Sequence, residues 1–202
     1  METLLAALTD QAQAIAPLEL AAVLLAIAYL VFAIRQNIWC WLCAGISTAI
    51  YVVLFAKARL YMESALNVFY FAMAIYGWSV WVSGQSGERP MPVSVWPGSV
   101  HARAITVVII LSLVSGYLLN RYTDAEFPYI DSLTTWSAIW ATFLIARKVL
   151  ENWWYWLVID LASIMIYWSR DLQLTSLLFV AYVIMIPFGL LSWLRTWRAE
   201  QL

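Results

Sequence analysis

The residues best suited to chemistry lie in residues 147–167, an apolar stretch that begins with two basic side chains. Four aromatic residues in a row, Trp153 to Trp156, come early in the stretch, and the carboxylate of Asp160 follows near its middle. In a helix, steps of 3, 4, 3 and 4 residues place five of these side chains on one face. The five are Trp153, Trp156, Asp160, Ser163 and Tyr167. This face predicts a wall of a binding site for a flat, polar molecule that can carry a positive charge.

Two interpretations of this aromatic cluster remain open. Trp and Tyr also collect where the hydrocarbon core of a membrane meets the headgroups, so Trp153 and Trp154 fit an interfacial belt equally well. A belt does not account for Asp160, because an unpaired carboxylate in the middle of a membrane span costs about 2.5–3.5 kcal/mol or more. For Asp160 the alternatives are a ligand-binding role and a buried pair with a neighbouring helix.

Composition places the chain in a membrane. Of its 202 residues, 64% are hydrophobic and 11% are charged, whereas a soluble domain carries about 25% charged residues. The composition therefore predicts an integral membrane protein that lies in the lipid bilayer. The formal net charge is −1 with no Arg-rich stripe, which excludes nucleic acid as a partner. Residues 1–17 contain no Lys or Arg, so we expect no cleaved signal peptide.

The sequence offers few residues that could bind a metal or catalyse redox or hydrolytic reactions. Cys40 and Cys43 form a C-x-x-C spacing, but they fall in an apolar span with no second cysteine pair and no nearby histidine. We expect both to be small core residues. His101, the single histidine, lies in a linker rich in Pro and Gly. The sequence therefore predicts no enzyme, no cofactor and no metal site.

Apolar segments long enough to cross a membrane as helices occur seven times. They cover residues 17–34, 38–55, 61–82, 102–120, 131–149, 152–169 and 172–194. The longest separator, residues 83–103, contains three prolines and three glycines and is the natural division of the chain. The sequence predicts an all-α membrane protein with seven transmembrane helices.

The basic residues that flank the spans predict the orientation. One side collects seven of them, namely Arg35, Arg89, Arg103, Arg147, Lys148, Arg195 and Arg198. The other side collects four, namely Lys57, Arg59, Arg121 and Arg170. By the positive-inside rule the first side is cytoplasmic, which places the N-terminus outside, in the periplasm, and the C-terminus inside.

The first three spans repeat as the last three. At a constant offset of 112 residues, six positions match: Glu19 with Asp131, Arg35 with Arg147, Ser64 with Ser176, Tyr70 with Tyr182, Gly77 with Gly189, and Trp81 with Trp193. A further alignment, with three extra residues in the second loop, pairs Asn37, Trp39 and Trp41 with Asn152, Trp154 and Trp156.

The fourth span makes the two repeats parallel, because an odd extra crossing restores the direction of the chain. The repeat predicts a 3+1+3 organisation: a first three-helix bundle over 17–82, a linker helix over 102–120, and a second bundle over 131–194. In transporters of this kind, a pseudo-twofold axis along the membrane normal relates the two repeats. We therefore expect the binding site on that axis, between the two bundles.

Polar and aromatic residues of four further spans are candidates for this site. They are Trp41, Thr48 and Tyr51 in the second span, Asn67 and Tyr70 in the third, Trp136 and Thr142 in the fifth, and Tyr182 in the seventh. Buried amides and phenols need partners, which a hydroxyl-bearing ligand supplies. Trp faces attract cations by about 0.5–2 kcal/mol. Hydrogen bonds from helix to helix are the alternative for each polar residue.

Several stretches of the chain resemble the PnuC-type vitamin transporters. These are residues 35–41, 46–51, 76–78 and 147–153, together with the W-x-x-W of Trp153 and Trp156. That family consists of bacterial inner-membrane carriers related to the SWEET sugar transporters. The resemblance covers nearly the whole chain and implies a SWEET-like fold. It also implies uptake of a vitamin-like nucleoside, typically nicotinamide riboside, by facilitated diffusion, with a cytosolic kinase trapping the product.

The chain departs from the family pattern at three polar positions. Asn67 and Thr142 stand where Gln is common, and Gln173 stands where Tyr is common. We expect these residues to bear on which solute is carried, since other members carry thiamine or riboflavin. A thiamine or riboflavin carrier therefore stays an alternative, with a membrane receptor or enzyme as a remote one. The number of subunits is left open, and a homo-oligomer is one option.

Overall fold

A computed structural model describes the backbone of residues 2–57, 61–85, 91–123, 127–169 and 173–201. Within these ranges the chain forms seven α-helices, which confirms the predicted all-α class. They are α1 (Glu2–Ile34), α2 (Trp39–Lys57), α3 (Tyr61–Gln85), α4 (Gly98–Tyr122), α5 (Pro128–Ala146), α6 (Asn152–Ser169) and α7 (Gln173–Glu200).

Within the described residues, five of the seven helices are long and apolar enough to cross a membrane. These stretches are Pro17–Ile34, Trp39–Lys57, Ser64–Gly84, Gly98–Tyr122 and Ser176–Glu200. Most helices extend beyond the apolar segments of the sequence, because helical hydrogen bonding continues where hydrophobicity stops. α5 instead begins three residues early, at Pro128, since proline is favoured in the first turn of a helix.

The chain divides into two compact units, residues Met1–Pro90 and Met91–Leu202, and the boundary falls inside the predicted linker. In the first unit α2 contacts both α1 and α3. The Ser47 hydroxyl donates to the carbonyl of Ala22 across the α1–α2 contact, at 2.8 Å. The Ser64 hydroxyl donates to the carbonyl of Val52 across the α2–α3 contact, at 2.9 Å. These bonds satisfy polar groups that lipid cannot.

In the second unit each helix from α4 to α7 contacts the next one along the chain. α4 docks on α5 through small residues. The Ser112 hydroxyl lies 3.4 Å from the carbonyl of Ser132, and a side chain at Gly116 would overlap the ring of Tyr129. Ser115 accepts a hydrogen bond from the indole nitrogen of Trp136 at 3.1 Å.

Positions 112 apart form matching turns in the two units. After α1, Gln36 has φ 53°, Gln36 N donates to Ala33 O at 3.0 Å, and Asn37 N donates to Phe32 O at 2.9 Å. After α5, Lys148 has φ 49°, and the amides of Lys148 and Val149 donate to Ile145 O and Leu144 O at 3.0 and 2.9 Å. Both are Schellman helix ends, although neither left-handed residue is glycine.

The same offset relates the tryptophan contacts. Trp41 lies edge-on to Trp81, with ring centroids 5.6 Å apart, and a side chain at Gly77 would overlap its ring. Trp153 makes the equivalent contacts with Trp193, also at 5.6 Å, and with Gly189. Trp41 therefore corresponds to Trp153. The alignment of Trp41 with Trp156 through three extra residues is wrong, because the turns before the two tryptophans have equal length.

Residues 91–97, here called the 91–97 segment, lie along the turn between α5 and α6. Ser94 N donates to Lys148 O at 3.0 Å and Leu150 N donates to Ser94 O at 2.8 Å, which forms a parallel bridge. The carboxylate of Glu200, at the end of α7, accepts from Val93 N at 3.0 Å. The segment thus joins the α5–α6 turn to α7.

Candidate functional site

One face of α6 is buried and the opposite face is exposed. Trp153, Asp160 and Ser163 are 0%, 4% and 6% exposed, and Trp156 is partly buried. The side chains between them point outward: Trp154, Val158, Leu161 and Met165 are all exposed. The buried face is the one predicted from the 3-4-3-4 spacing. The side chain of Tyr167, the last of the five, lies outside the described residues.

The carboxylate of Asp160 stands alone on this face. It makes no hydrogen bond or ion pair with the described residues of its unit, so the interpretation of Asp160 as half of a pair between these helices finds no support there. Ile159 is buried beside Asp160, and the buried Ser163 follows one turn later on the same face. A buried charge is costly without a partner, so Asp160 stays a candidate for binding a ligand.

The two tryptophans of the W-x-x-W pair have different surroundings. The Trp153 ring is enclosed by its contacts with Trp193 and Gly189 of α7. Among the described residues, its buried indole nitrogen has no hydrogen-bond partner, and neither has that of Trp41. Trp156 lies one turn further along α6 and keeps part of its surface accessible. Trp156 is therefore better placed to stack on a ligand, and Trp153 is better placed to hold α6 against α7.

The polar candidates of the first unit already take part in contacts with other residues. The Thr48 hydroxyl donates to Ala44 O at 2.8 Å, and Tyr51 stacks on Phe55 with centroids 5.3 Å apart. Tyr70 packs beside Phe69, its neighbour in sequence. Asn67 and Tyr70 each have interaction partners. These contacts fit helix packing as well as a binding role.

In the second unit, Thr142 and Trp136 are also engaged. The Thr142 hydroxyl donates to Ala138 O at 2.7 Å, and the Trp136 indole donates to Ser115 of α4, so Trp136 faces α4. Tyr182 lies edge-on to Phe179. The side chain of Gln173 lies outside the described residues.

The tryptophan contacts fix the register of neighbouring helices. The register in turn shows which candidate residues lie at the same level along the helices. Asp160 lies seven residues after Trp153, and Tyr182 lies seven residues before Gly189. Because α6 and α7 run in opposite directions, the two residues lie at the same level, about 10 Å from the Trp153 contact. The same arithmetic in the first unit sets Thr48 level with Tyr70, and Tyr51 level with Asn67. These six residues therefore lie away from the tryptophan contacts, whereas Trp41 and Trp153 lie at the beginnings of α2 and α6.

A second polar cluster, which the sequence did not predict, surrounds His101 at the N-terminal end of α4. His101 Nδ1 lies 3.0 Å from the hydroxyl of Tyr155, and His101 Nε2 lies 3.8 Å from the carboxylate of Glu151. The same carboxylate accepts from the amide of Trp96 at 3.2 Å. Its only signal in the sequence was the single histidine in the linker. The cluster anchors the 91–97 segment and lies away from mid-helix.

The described residues contain no group of three or more His, Cys, Asp or Glu side chains that could hold a metal ion. Cys40 is a buried free thiol and Cys43 is a partly buried one. The arrangement on α6 offers a partly accessible aromatic ring, an unpaired carboxylate and a hydroxyl, which are groups that bind a solute.

Comparisons with known proteins give one consistent result. The profile of the nicotinamide mononucleotide transporter family matches residues 16–195. The nicotinamide riboside transporter PnuC of Escherichia coli (strain K12) is 25% identical over 179 residues, which cover 76% of this chain and 74% of that protein. The riboflavin/roseoflavin transporter RibM of Streptomyces davaonensis is 24% identical over 168 residues, covering 79% and 76%.

A solved structure has the same fold. The crystal structure of the vitamin B3 transporter PnuC superposes with a TM-score of 0.71 at 19% identity, covering 90% of this chain and 82% of that one.

Proposed function

The chain belongs to the nicotinamide mononucleotide transporter family, the family of the PnuC-type transporters, and from this membership we propose that it carries nicotinamide riboside into the cell by facilitated diffusion. It is a membrane transporter and not an enzyme. Relatives named for nicotinamide riboside support the choice of solute. The solute is a flat aromatic cation attached to a sugar, which suits both the stacking surface and the polar groups on α6.

The observation that carries the proposal is Asp160, which is 4% exposed on the buried face of α6 and makes no ion pair with the described residues. A carboxylate in this position attracts a cationic ring and accepts hydrogen bonds from hydroxyl groups. Trp156, one turn away on the same face, offers an aromatic surface to the same ring. Asn67, Tyr70 and Tyr182 are proposed to complete the recognition of the solute.

We also propose a SWEET-like 3+1+3 organisation, in which α1–α3 and α5–α7 are two copies of one bundle and α4 connects them. The matching Schellman turns, tryptophan contacts and serine bonds support it, since the Ser176 hydroxyl donates to Ile164 O just as Ser64 donates to Val52 O. On this proposal α5 and α6, with 19 and 18 residues, also cross the membrane. The bundles then correspond to residues 17–82 and 131–194, with 102–120 as the linker span.

The proposed location is the bacterial inner membrane, with the N-terminus in the periplasm and the C-terminus in the cytoplasm. The excess of basic residues beside the α1–α2 and α5–α6 turns and near the C-terminal end of α7 supports this orientation. A cytosolic kinase that phosphorylates the solute would keep the gradient directed inward. A homo-oligomer is compatible with the proposal and is not required by it.

Riboflavin is the second candidate solute, because the relative RibM is a riboflavin/roseoflavin transporter. Thiamine is a third, since it is also an aromatic cation. Counterflow of labelled nicotinamide riboside in proteoliposomes tests the first proposal, because only a carrier exchanges internal for external solute. Calorimetric titration of the purified protein with the three vitamins then identifies the solute. Binding of riboflavin or thiamine alone would replace nicotinamide riboside, and counterflow of none would contradict transport of these solutes.

A further inference from the structure

Most buried polar side chains of the described chain have a hydrogen-bond partner. Ten such residues are buried: Ser47, Ser64, Ser112, Ser132, Thr142, Lys148, Asn152, Asp160, Ser163 and Ser176. Seven make a bond or another polar interaction. Of the remaining three, Ser132 has a fully buried hydroxyl without a partner, and Asp160 and Ser163 make no hydrogen bond to another described residue. Buried polar groups are costly to leave unpaired, so each exception needs an explanation.

Two of the three exceptions are neighbours. Ser163 follows Asp160 by one helical turn on the buried face of α6, a spacing that sets the two Cβ atoms about 5–6 Å apart. A serine inside a helix commonly donates to the carbonyl four residues earlier. Ser112 does so to Val108 O, and Ser115 to Leu111 O. Ser163 makes no such bond among the described residues, which leaves its hydroxyl for a ligand.

We infer that Ser163 is a specificity-determining residue and forms, with Asp160, a subsite for the hydroxyl groups of a sugar or polyol. The inference rests on the proposed function. A carboxylate accepts hydrogen bonds from neighbouring hydroxyls of a ribose, as acidic residues of dinucleotide-binding sites do. The Ser163 hydroxyl both donates and accepts, so it completes the network. A cation alone would be balanced by Asp160 and would make no use of Ser163.

Comparison of equivalent positions assigns this subsite to the second unit. The position 112 residues before Asp160 is Thr48, whose hydroxyl already donates to Ala44 O. The position 112 residues before Ser163 is Tyr51, whose ring stacks on Phe55. The first unit therefore offers a satisfied hydroxyl and an aromatic ring where the second offers an unsatisfied carboxylate and an unsatisfied hydroxyl.

The test combines a protein variant that lacks the Ser163 hydroxyl with a solute analogue that lacks the ribose hydroxyls. Nicotinamide riboside and its 2′,3′-dideoxy analogue are titrated calorimetrically into the purified full chain and its Ser163→Ala variant. We expect Ser163→Ala to weaken binding of nicotinamide riboside about 10-fold. We expect it to change binding of the dideoxy analogue by less than about 2-fold, because the lost hydroxyl has nothing to bind there. Ser163→Thr, which keeps a hydroxyl, should retain most of the affinity.

Ser132→Ala is the matched control, because Ser132 is equally buried and its hydroxyl is equally unpaired, but it lies on α5. It should bind both solutes like the parent, and the thermal midpoints of all variants should agree. If Ser163→Ala weakens both solutes equally, or neither, Ser163 does not recognise hydroxyls and the inference fails while transport stands. A parent that binds riboflavin is tested in the same way with lumichrome, which lacks the polyol chain. A parent that binds thiamine alone, or none of the three vitamins, overturns the inference together with the proposed solute.

Discussion

At the scale of single residues, the two tryptophans of the W-x-x-W pair differ in their burial and in their contacts. Trp153 is fully buried against α7, whereas Trp156 keeps accessible surface. The helical spacing predicted that both lie on one face, and they do. Spacing could not predict which of them packs, because that depends on Gly189, which leaves room for the Trp153 ring. The contact joins residues 36 positions apart, and no local pattern encodes it.

The first prediction separates these two tryptophans. Trp156→Ala should lower the affinity for the transported vitamin by about 1–3 kcal/mol, or about 10–100-fold, because it removes a stacking surface. Trp153→Ala should instead lower the thermal midpoint in detergent, since it opens a cavity between α6 and α7. Calorimetric titration and thermal unfolding measure the two effects. Trp154→Ala is the control, as Trp154 is 55% exposed. Parent-like binding by Trp156→Ala would assign Trp156 to packing.

At the scale of helices, the sequence predicted most of the helices but few of the tertiary contacts between segments. Apolar length predicted seven helices, and the structure describes seven. The 91–97 segment was expected to be a plain loop, because Pro92 and Pro97 interrupt any periodic pattern. Its bridge to the α5–α6 turn joins Ser94 to Val149 across 55 positions. Such pairing depends on tertiary contacts that sequence periodicity does not report.

Close approach of neighbouring helices gives the second prediction. Gly77→Ala should destabilise the first unit by about 1–3 kcal/mol, because the added methyl group would overlap the Trp41 ring, which Trp81 holds in place. Gly45→Ala is the matched control: it also lies in the first unit, and a methyl group there would make an ordinary contact with Ala74 at 3.8 Å. Thermal unfolding in detergent measures both. Equal midpoints for the two variants would show that the Trp41 ring can move aside.

The third prediction concerns the anchoring of the 91–97 segment. Glu151→Gln removes the negative charge that faces His101 and weakens the acceptor for Trp96 N. Bonds to charged groups contribute about 1.5–3 kcal/mol, so the segment should open more often. Hydrogen exchange at the amides of Ser94 and Leu150 should accelerate about 10-fold or more.

An exposed charge at the far end of α4 provides the control for this experiment. Arg121→Gln should leave exchange at Ser94 and Leu150 unchanged, because Arg121 lies at the opposite end of the helix from His101. Exchange that stays slow in Glu151→Gln would show that the bridge itself, rather than the carboxylate, holds the segment in place.

At the scale of the whole molecule, the sequence predicts a duplication of the first three spans, and the structure corrects one detail of the predicted alignment. The constant offset of 112 matched Gly77 with Gly189 and Trp81 with Trp193, and the contacts agree. The sequence also suggested three extra residues in the second loop, because Trp41 could be aligned equally well with Trp156. Backbone hydrogen bonds decide between the alignments, since Trp41 N bonds Ile38 O and Trp153 N bonds Leu150 O.

The last prediction is that transport is not driven by protons. Proton-coupled carriers pass protons along chains of Asp, Glu or His inside the membrane. Here Asp160 is the one acidic residue near the middle of a predicted span, and His101 lies at the end of α4. In kinase-free vesicles, labelled solute should therefore reach the external concentration and stop there, with or without an acidic exterior. Asp160→Asn should slow entry equally in both conditions. Accumulation above the external concentration that appears only with the pH gradient, and disappears in Asp160→Asn, would show instead that Asp160 carries a proton with the solute.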